Sequence, residues 1–195
     1  MTSTGPAYLY VLPTLHEDLL KLGFSRDPLA RMQALHPRFY EFFDLARAFA
    51  VQTDTVAEAR ALETRHARAL RAHRAPVPLT AGRAGGHTEW YRGASAPLTR
   101  VADECAAAGF ALHRPLESWV RRRLDAHAPL LHDWSALLCV DELEARGAAA
   151  VASLAQRRVL DVLDAYPALG LGLERWLPGA VRDWHAEARR CASAT

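Results

Sequence analysis

The strongest constraint on the fold lies in residues 8–31, where two short alternating runs come directly before the start of a helix. Successive side chains of a strand point to opposite faces of a sheet, so each run separates its aliphatic residues from its polar and aromatic ones. The short polar segment between the runs predicts a hairpin loop. We therefore expect two paired strands whose aliphatic faces lie in the core. The opposite faces then carry Tyr8, Tyr10, Lys21, Gly23 and Ser25.

The helix after this hairpin has a recognisable start and end. Asp27 can accept hydrogen bonds from first-turn amides, and Pro28 supplies a helical φ at the first position. Pro37 ends the helix, because the residue before a proline is pushed out of the helical region. Arg31 lies one turn inside, where its side chain can point back over the polar face of the hairpin.

A third strand and a second helix are predicted next. Alternation places the strand within residues 39–51, with Phe43 and Leu45 on one face. Thr55 and Glu58 have the spacing of a capping box, which predicts a helix start. The apolar stripe of this helix consists of Val56, Ala59, Leu62, His66 and Leu70.

Glu63 lies at the edge of that stripe. A carboxylate there loses part of its hydration, and burying it alone is unfavourable. It needs a partner, which is a metal ion or one of the nearby arginines in a structural ion pair. His66, on the stripe itself, is open to two interpretations, a satisfied core histidine or a functional group.

Five segments in order carry a family resemblance. Residues 8–10 read Y-L-Y, residues 21–23 read K-L-G, and Arg31 follows; residues 62–66 read L-E-T-R-H and residues 89–91 read E-W-Y. Together they resemble the motifs of the GIY-YIG nuclease superfamily, and within it the phage-associated branch whose second motif reads K-I-G. The resemblance covers the first half of the chain. It implies hydrolysis of phosphodiester bonds in DNA.

The resemblance also implies roles for particular residues. Glu63 would hold a single Mg²⁺ or Mn²⁺, ions that prefer oxygen ligands and keep several waters. Arg31 would clamp the scissile phosphate, and Tyr10 would orient or deprotonate the attacking water. Lys21 would act as a base or as a phosphate-binding cation, and His66 would relay a proton or bind the metal. The residues expected to contact substrate are Tyr8, Gly23, Ser25, Glu89 and Trp90.

Two positions depart from the family pattern. Tyr8 stands where the first motif has glycine, and Lys21 stands where the more familiar members have tyrosine. The alternative is therefore a catalytically degenerate fold that serves as a nucleic-acid or protein interaction module.

The second half of the chain changes character, because amphipathic helical patterns replace strand-like runs. In one of them Leu98, Val101 and Cys105 share a face. We predict an α+β fold, with a small three-stranded antiparallel sheet flanked by helices and then an all-α half. The predicted domains are residues 1–93, nuclease-like, and residues 94–195, helical. The helical half is where a protein partner or a second copy of the chain would bind.

Composition excludes several classes of protein. A net charge of +2 is too small to indicate nucleic-acid binding by itself, so DNA contacts depend on local patches. Cys105, Cys139 and Cys191 are isolated and odd in number, which argues against a disulfide framework and a thiolate metal site. No run is long enough to span a membrane, and the N-terminus lacks a signal-peptide pattern, so we expect a cytoplasmic protein.

Overall fold

The computed structural model describes residues 4–78, 89–136 and 154–193. Within these ranges the chain forms five strands and seven α-helices, with a short 3₁₀ helix at Arg71–His73. The strands are β1 (Thr4–Pro13), β2 (Leu19–Ser25), β3 (Phe49–Thr55), β4 (Trp90–Arg92) and β5 (Ala111–His113). The helices are α1 (Pro28–Leu35), α2 (Phe39–Phe42), α3 (Val56–Ala69), α4 (Ser95–Ala107), α5 (Leu116–Ala136), α6 (Leu154–Ala168) and α7 (Gly179–Ser193).

The strands form one antiparallel sheet in the order β4-β2-β1-β3-β5. The α+β class is therefore confirmed, but the prediction of three strands is wrong. The two added strands have three residues each and lie at the sheet edges. β5 also falls inside the half predicted to be all-α, where helices otherwise dominate the described residues. The sequence allows a short strand or strap at residues 87–91, where β4 lies, whereas β5 is unexpected. Strands of three residues carry too little alternation to be assigned, because they depend on pairing with β2 and β3.

The hairpin of β1 and β2 has the predicted faces. Tyr10 pairs with Gly23, so their side-chain positions share one face of the sheet. The opposite face contributes Leu9 and Leu22 to a buried apolar cluster with residues of β3 and α4. Among the α4 members of this cluster are Leu98, Val101, Ala102 and Cys105.

The third strand begins later than predicted, at Phe49, because residues 39–48 form a short helix and a turn, with Phe43 in a single β-bridge to Thr14. Phe39–Phe42 is a short helix. It is followed by a turn in which the Asp44 carboxylate accepts a hydrogen bond from the Arg47 backbone amide at 3.0 Å. Both Phe39 and Phe43 are buried, so the alternation in this segment reflects core contacts of a helix and a turn.

The two helix starts are confirmed at atomic detail. The Asp27 carboxylate accepts from the Ala30 amide at 3.1 Å, with Pro28 at the first helical position. The Thr55 hydroxyl accepts from the Glu58 amide at 3.2 Å. These caps satisfy amides that have no partner within the helix, and they fix where α1 and α3 begin.

Contacts divide the chain into two compact units, Met1–Val120 and Arg121–Thr195. The first contains the whole sheet. The second is held by buried apolar residues such as Leu163 and by polar pairs between helices. His185 and Asp164 approach to 2.8 Å, and the Tyr166 hydroxyl donates to the Leu124 carbonyl at 3.2 Å. The predicted domain boundary at residue 93 stays a prediction about independent folding.

Other sequence predictions concern the helical half and the cysteines. Leu130 and Trp134, one turn apart on α5, are 64% and 39% exposed, and binding of a partner there stays a prediction. Cys105, which is buried, and Cys191, which is exposed, are reduced thiols, and Cys139 lies outside the described residues. Within the described ranges, no helix has both the length and the apolar character needed to cross a bilayer.

Candidate active site

The site is built around the close approach of Tyr10 to Gly23. A Cβ atom added to Gly23 would lie 2.5 Å from the Tyr10 hydroxyl oxygen and 2.7 Å from Cζ. Any side chain at this position would therefore displace the tyrosine ring. The glycine of the K-L-G segment is needed because the ring lies directly across it.

Arg31 reaches the same tyrosine from α1. Its side chain hydrogen bonds with Tyr10, and the cap at Asp27 sets the turn of helix that carries it. Burial raises the pKa of Tyr10, while the hydrogen bond and the positive charge of Arg31 act in the opposite direction. The phenol therefore keeps its proton at neutral pH and can donate or accept a hydrogen bond.

Lys21 lies on the same face of the sheet and is 2% exposed. Its ammonium nitrogen is 3.1 Å from a carboxylate oxygen of Glu89 and 5.9 Å from the centroid of the Trp90 ring. Burial is the largest influence on Lys21 and lowers its pKa, and the hydrogen bond to Glu89 opposes that effect. A buried ammonium is stable only with such compensation.

Glu89 is held by its backbone as well as by this ion pair. Its φ is +64°, a conformation that a residue other than glycine adopts at a cost of about 1–2 kcal/mol. Its carbonyl accepts a hydrogen bond from the Leu22 amide at 3.1 Å, and the next residue, Trp90, pairs with Lys21 in the β2–β4 ladder. The backbone thus delivers the carboxylate beside Lys21 in spite of the local strain.

Glu63 joins this group from α3. Its carboxylate is partly buried, and the pKa of Glu63 is raised by burial and by the negative charge of Glu89, while Lys21 and Arg60 lower it. No hydrogen bond or ion pair joins Glu63 to another side chain in the described ranges, where no group of three or more metal-ligating side chains occurs either. A half-desolvated carboxylate under repulsion from a second one fits a hydrated divalent cation, which can bind through one or two carboxylates.

We call Tyr10, Lys21, Arg31, Glu63 and Glu89 the charged cluster. Its members come from β1, β2, α1, α3 and the residue before β4. Arg31, Glu63 and Glu89 influence the pKa values of both Tyr10 and Lys21, and Lys21 and Glu89 influence the pKa of Glu63. The cluster combines two cations, two carboxylates and one phenol. Such a set can bind an anion through the cations and a cation through the carboxylates.

Three other predicted residues lie elsewhere. Tyr8 packs against the rings of His113 and Trp119, with centroid distances of 5.9 Å and 5.5 Å. The Ser25 hydroxyl accepts from the Asp27 amide at 3.0 Å in the turn before α1.

His66 is buried, with its ring nitrogen 3.3 Å from Arg65. Burial and Arg65 lower the pKa of His66, and Glu104 raises it. These neighbours indicate a core histidine beside α4 and do not connect it with the charged cluster.

Sequence reasoning did not predict that Glu89 and Lys21 pair. Glu89 and Trp90 were expected to contact substrate, but the Trp90 side chain is 1% exposed. One signal pointed to the pair, since Lys21 is the only lysine of the chain and lies in a run of otherwise apolar residues. A lysine in such a run requires a counter-ion, although the sequence does not say which carboxylate supplies it.

Comparison with known protein families identifies a related domain. A sequence model of the T5orf172 domain matches residues 7–108, just over half of the chain. This domain is phage-associated and related to nuclease-type folds. No curated protein and no solved structure matches the chain. The matched residues include every member of the charged cluster.

Proposed function

The chain belongs to the T5orf172 domain family, and from this premise we propose that it is a divalent-metal-dependent endonuclease with a GIY-YIG-like site. The reaction is hydrolysis of a phosphodiester bond in DNA. The observation that carries the proposal is the convergence of Tyr10, Lys21, Arg31 and Glu63, which come from four separate elements. This combination of cations, a carboxylate and a phenol matches the groups that phosphodiester hydrolysis requires.

Arg31 and Lys21 are the groups that receive the phosphate. The guanidinium of Arg31 presents parallel N–H donors that suit two phosphate oxygens at once. Its bond to Tyr10 fixes its direction before substrate arrives. Positive charge held in place stabilises the negative charge that develops on the phosphoryl oxygens in the transition state.

Tyr10 orients the attacking water. Because burial raises its pKa, the phenol is a poor base near neutral pH and a good hydrogen-bonding group. Its hydroxyl is held between Arg31 and Gly23, so a water bound to it has a defined direction of attack.

Glu63 would hold the metal ion. A bound Mg²⁺ or Mn²⁺ supplies charge neutralisation at the phosphate and lowers the pKa of coordinated water. The carboxylate suits this role because it is partly desolvated and repelled by Glu89. Removing it should therefore affect cleavage without removing a structural contact.

The test is cleavage of a panel of labelled DNA substrates, including single-stranded, duplex and branched forms, with Mg²⁺ or Mn²⁺. We expect the wild type to cut in the presence of metal and Glu63→Ala to be inactive. Arg31→Ala should lose about 10²–10³-fold in rate, the usual effect of removing one transition-state donor. Two control variants remove exposed residues with matching charges: Glu104→Ala is the control for Glu63→Ala, and Arg68→Ala is the control for Arg31→Ala. Both controls should cut normally.

The burial of Tyr10 and Lys21 favours a second candidate, a degenerate fold that binds nucleic acid or protein without cutting. Both residues are 2% exposed, so a phosphate can reach them only if the site opens. If folded wild-type protein cuts no substrate with either metal, the nuclease proposal fails and the binding module is preferred. DNA affinity measured in the same samples then separates nucleic-acid binding from protein binding.

A further inference from the structure

Lys21 is unusual among the residues of the site, because it is nearly inaccessible and carries a charge. Its ammonium lies between the Glu89 carboxylate at 3.1 Å and the face of Trp90 at 5.9 Å. Both contacts favour the charged form of the side chain. The sequence left open whether this lysine serves as a base or as a cation, and these contacts bear on the choice.

The position of Glu89 is set by three constraints that act together. Its carbonyl is bonded to Leu22, its neighbour Trp90 is in register with Lys21, and its own φ is +64°. Strained backbone persists only where surrounding contacts over-determine it, and it occurs often at functional sites. The strain here is retained at the residue that faces the buried lysine.

The other charged and titratable groups around Lys21 come from three elements. They are Tyr10 on β1, Arg31 on α1 and Glu63 on α3. Arg31 repels the ammonium, and Glu63 attracts it less strongly than Glu89 does. Glu89 is therefore the largest compensation for the burial of Lys21.

We propose that Glu89 is a positioning residue that holds Lys21 as a fixed ammonium, so that Lys21 acts as a phosphate-binding cation and not as the general base. This rests on the proposed function for the identity of the ligand, a phosphate group of the nucleic-acid backbone. Lys21 is 2% exposed, so a phosphate oxygen meets one of the three N–H donors of this ammonium only when the site opens. The pairing of Lys21 with Glu89 itself does not depend on whether the protein cuts DNA.

The single lysine makes the pairing directly measurable. In protein labelled selectively with ¹³C-lysine, one Cε signal reports on Lys21, and its pH titration gives the pKa of that residue alone. We expect the Lys21 pKa to be lower in Glu89→Gln than in the wild type, because the amide keeps the shape and loses the charge. Glu89→Asp should stay closer to the wild type. Glu104→Gln, the matched control on α4, should leave the titration unchanged.

A wild-type measurement keeps the proposal testable if Glu89→Gln does not fold. At acid pH the Lys21 signal should shift as the neighbouring carboxylate takes up a proton. This step should persist in Glu63→Gln. A wild-type signal with no step at acid pH, or a Lys21 pKa in folded Glu89→Gln equal to or above that of the wild type, would overturn the pairing.

Cleavage kinetics distinguish the two possible roles of Lys21, a phosphate-binding cation and a general base. If Lys21 is a cation, Glu89→Gln should raise KM for DNA by about tenfold, the effect of losing one charge-assisted hydrogen bond. If Lys21 is a base, a lower pKa increases its neutral fraction, so Glu89→Gln should cut as fast or faster near neutral pH. That second result would overturn the proposed role.

If the wild type cuts nothing, the proposed nuclease fails separately and the readout becomes DNA binding. A Lys21 signal that shifts on addition of a DNA oligonucleotide, with weaker affinity in Glu89→Gln, supports the phosphate-binding role. A signal that does not respond to saturating DNA contradicts it.

Discussion

Gly23 has no Cβ atom, and this absence allows the Tyr10 hydroxyl to form its hydrogen bond with Arg31. The tyrosine ring lies across Gly23 because no side chain occupies that position, and the resulting placement brings the hydroxyl within reach of the arginine. The constraint is steric and not conformational. Gly23 is therefore required by its neighbour across the hairpin, a reason that only the pairing of β1 with β2 reveals.

Replacing Gly23 with alanine tests this close approach. We expect a loss of about 1–3 kcal/mol of stability from overpacking, together with loss of cleavage because the Tyr10 ring must move. Urea unfolding and the cleavage assay measure the two effects. Gly179→Ala is the control, since its added Cβ would meet only an Arg182 nitrogen at 3.9 Å. A Gly23→Ala protein with wild-type stability and activity would contradict the tight contact.

His66 gives a prediction about acid stability. Its pKa is lowered in the folded protein from the ordinary value of 6.5, so below that pH the unfolded chain binds more protons at this position. The contribution of His66 to stability is therefore present above pH 6.5 and is lost as pH falls through the lower, folded pKa.

Urea midpoints at about pH 8 and pH 5.5 measure this dependence, because they lie on either side of the ordinary histidine pKa. The decrease in stability between them should be smaller in His66→Gln than in the wild type. His16→Gln, at an exposed loop residue, should keep the wild-type decrease. An unchanged decrease in His66→Gln would assign the acid sensitivity to other groups.

At the scale of secondary structure, the caps place the functional side chains. α1 begins at Pro28 because Asp27 caps it, and Arg31 lies one turn further on. α3 begins after the Thr55 cap, and Glu63 follows in its third turn. A helix that began elsewhere would rotate these side chains away from the cluster, since each residue turns the helix by a fixed angle.

Asp27→Ala tests the cap of α1. We expect a loss of about 1 kcal/mol in stability, typical of an N-cap, and a lower cleavage rate because the first turn no longer holds Arg31 firmly. Asp27→Ser restores a capping oxygen and should recover most of both. Equal behaviour of the alanine and serine variants would show that the cap does not position Arg31.

At the scale of the whole molecule, the sheet continues well past the motif-bearing residues. β5 pairs with β3, and α4 supplies part of the main apolar cluster. Beyond β5, the amides of Leu116 and Glu117 donate to the carbonyls of Ala48 and Leu45 at 2.9 Å and 3.1 Å. The segment after residue 93 therefore completes the apolar core of the sheet whose strands β1 and β2 carry Tyr10 and Lys21.

Two truncated chains measure this dependence. We expect residues 1–120 to unfold cooperatively, because they keep every strand and α4. Residues 1–93 should show no cooperative transition, because the apolar cluster loses Leu98, Val101 and Cys105. Circular dichroism with urea titration distinguishes the two. A cooperative transition in residues 1–93 would show that β1 to β4 and their helices form a core on their own.

The sequence alone determined the elements whose information is local. Alternation identified β1 and β2 and their faces, and capping residues fixed the starts of α1 and α3, because each of these signals lies within a few neighbouring residues. The motif order likewise identified Tyr10, Lys21, Arg31 and Glu63 as candidate site residues. No local signal distinguishes residues 39–48 from a strand, because the buried phenylalanines of a helix and a turn produce the same alternation of apolar residues.

Only the tertiary structure decided the strands at the sheet edges and the partner of Lys21. β4 and β5 are three residues long and exist through pairing with distant strands. Glu89 lies 68 residues from Lys21, and the contact depends on the strained backbone before β4. Such contacts are set by the free energy of the whole packed core, which no short window of sequence contains.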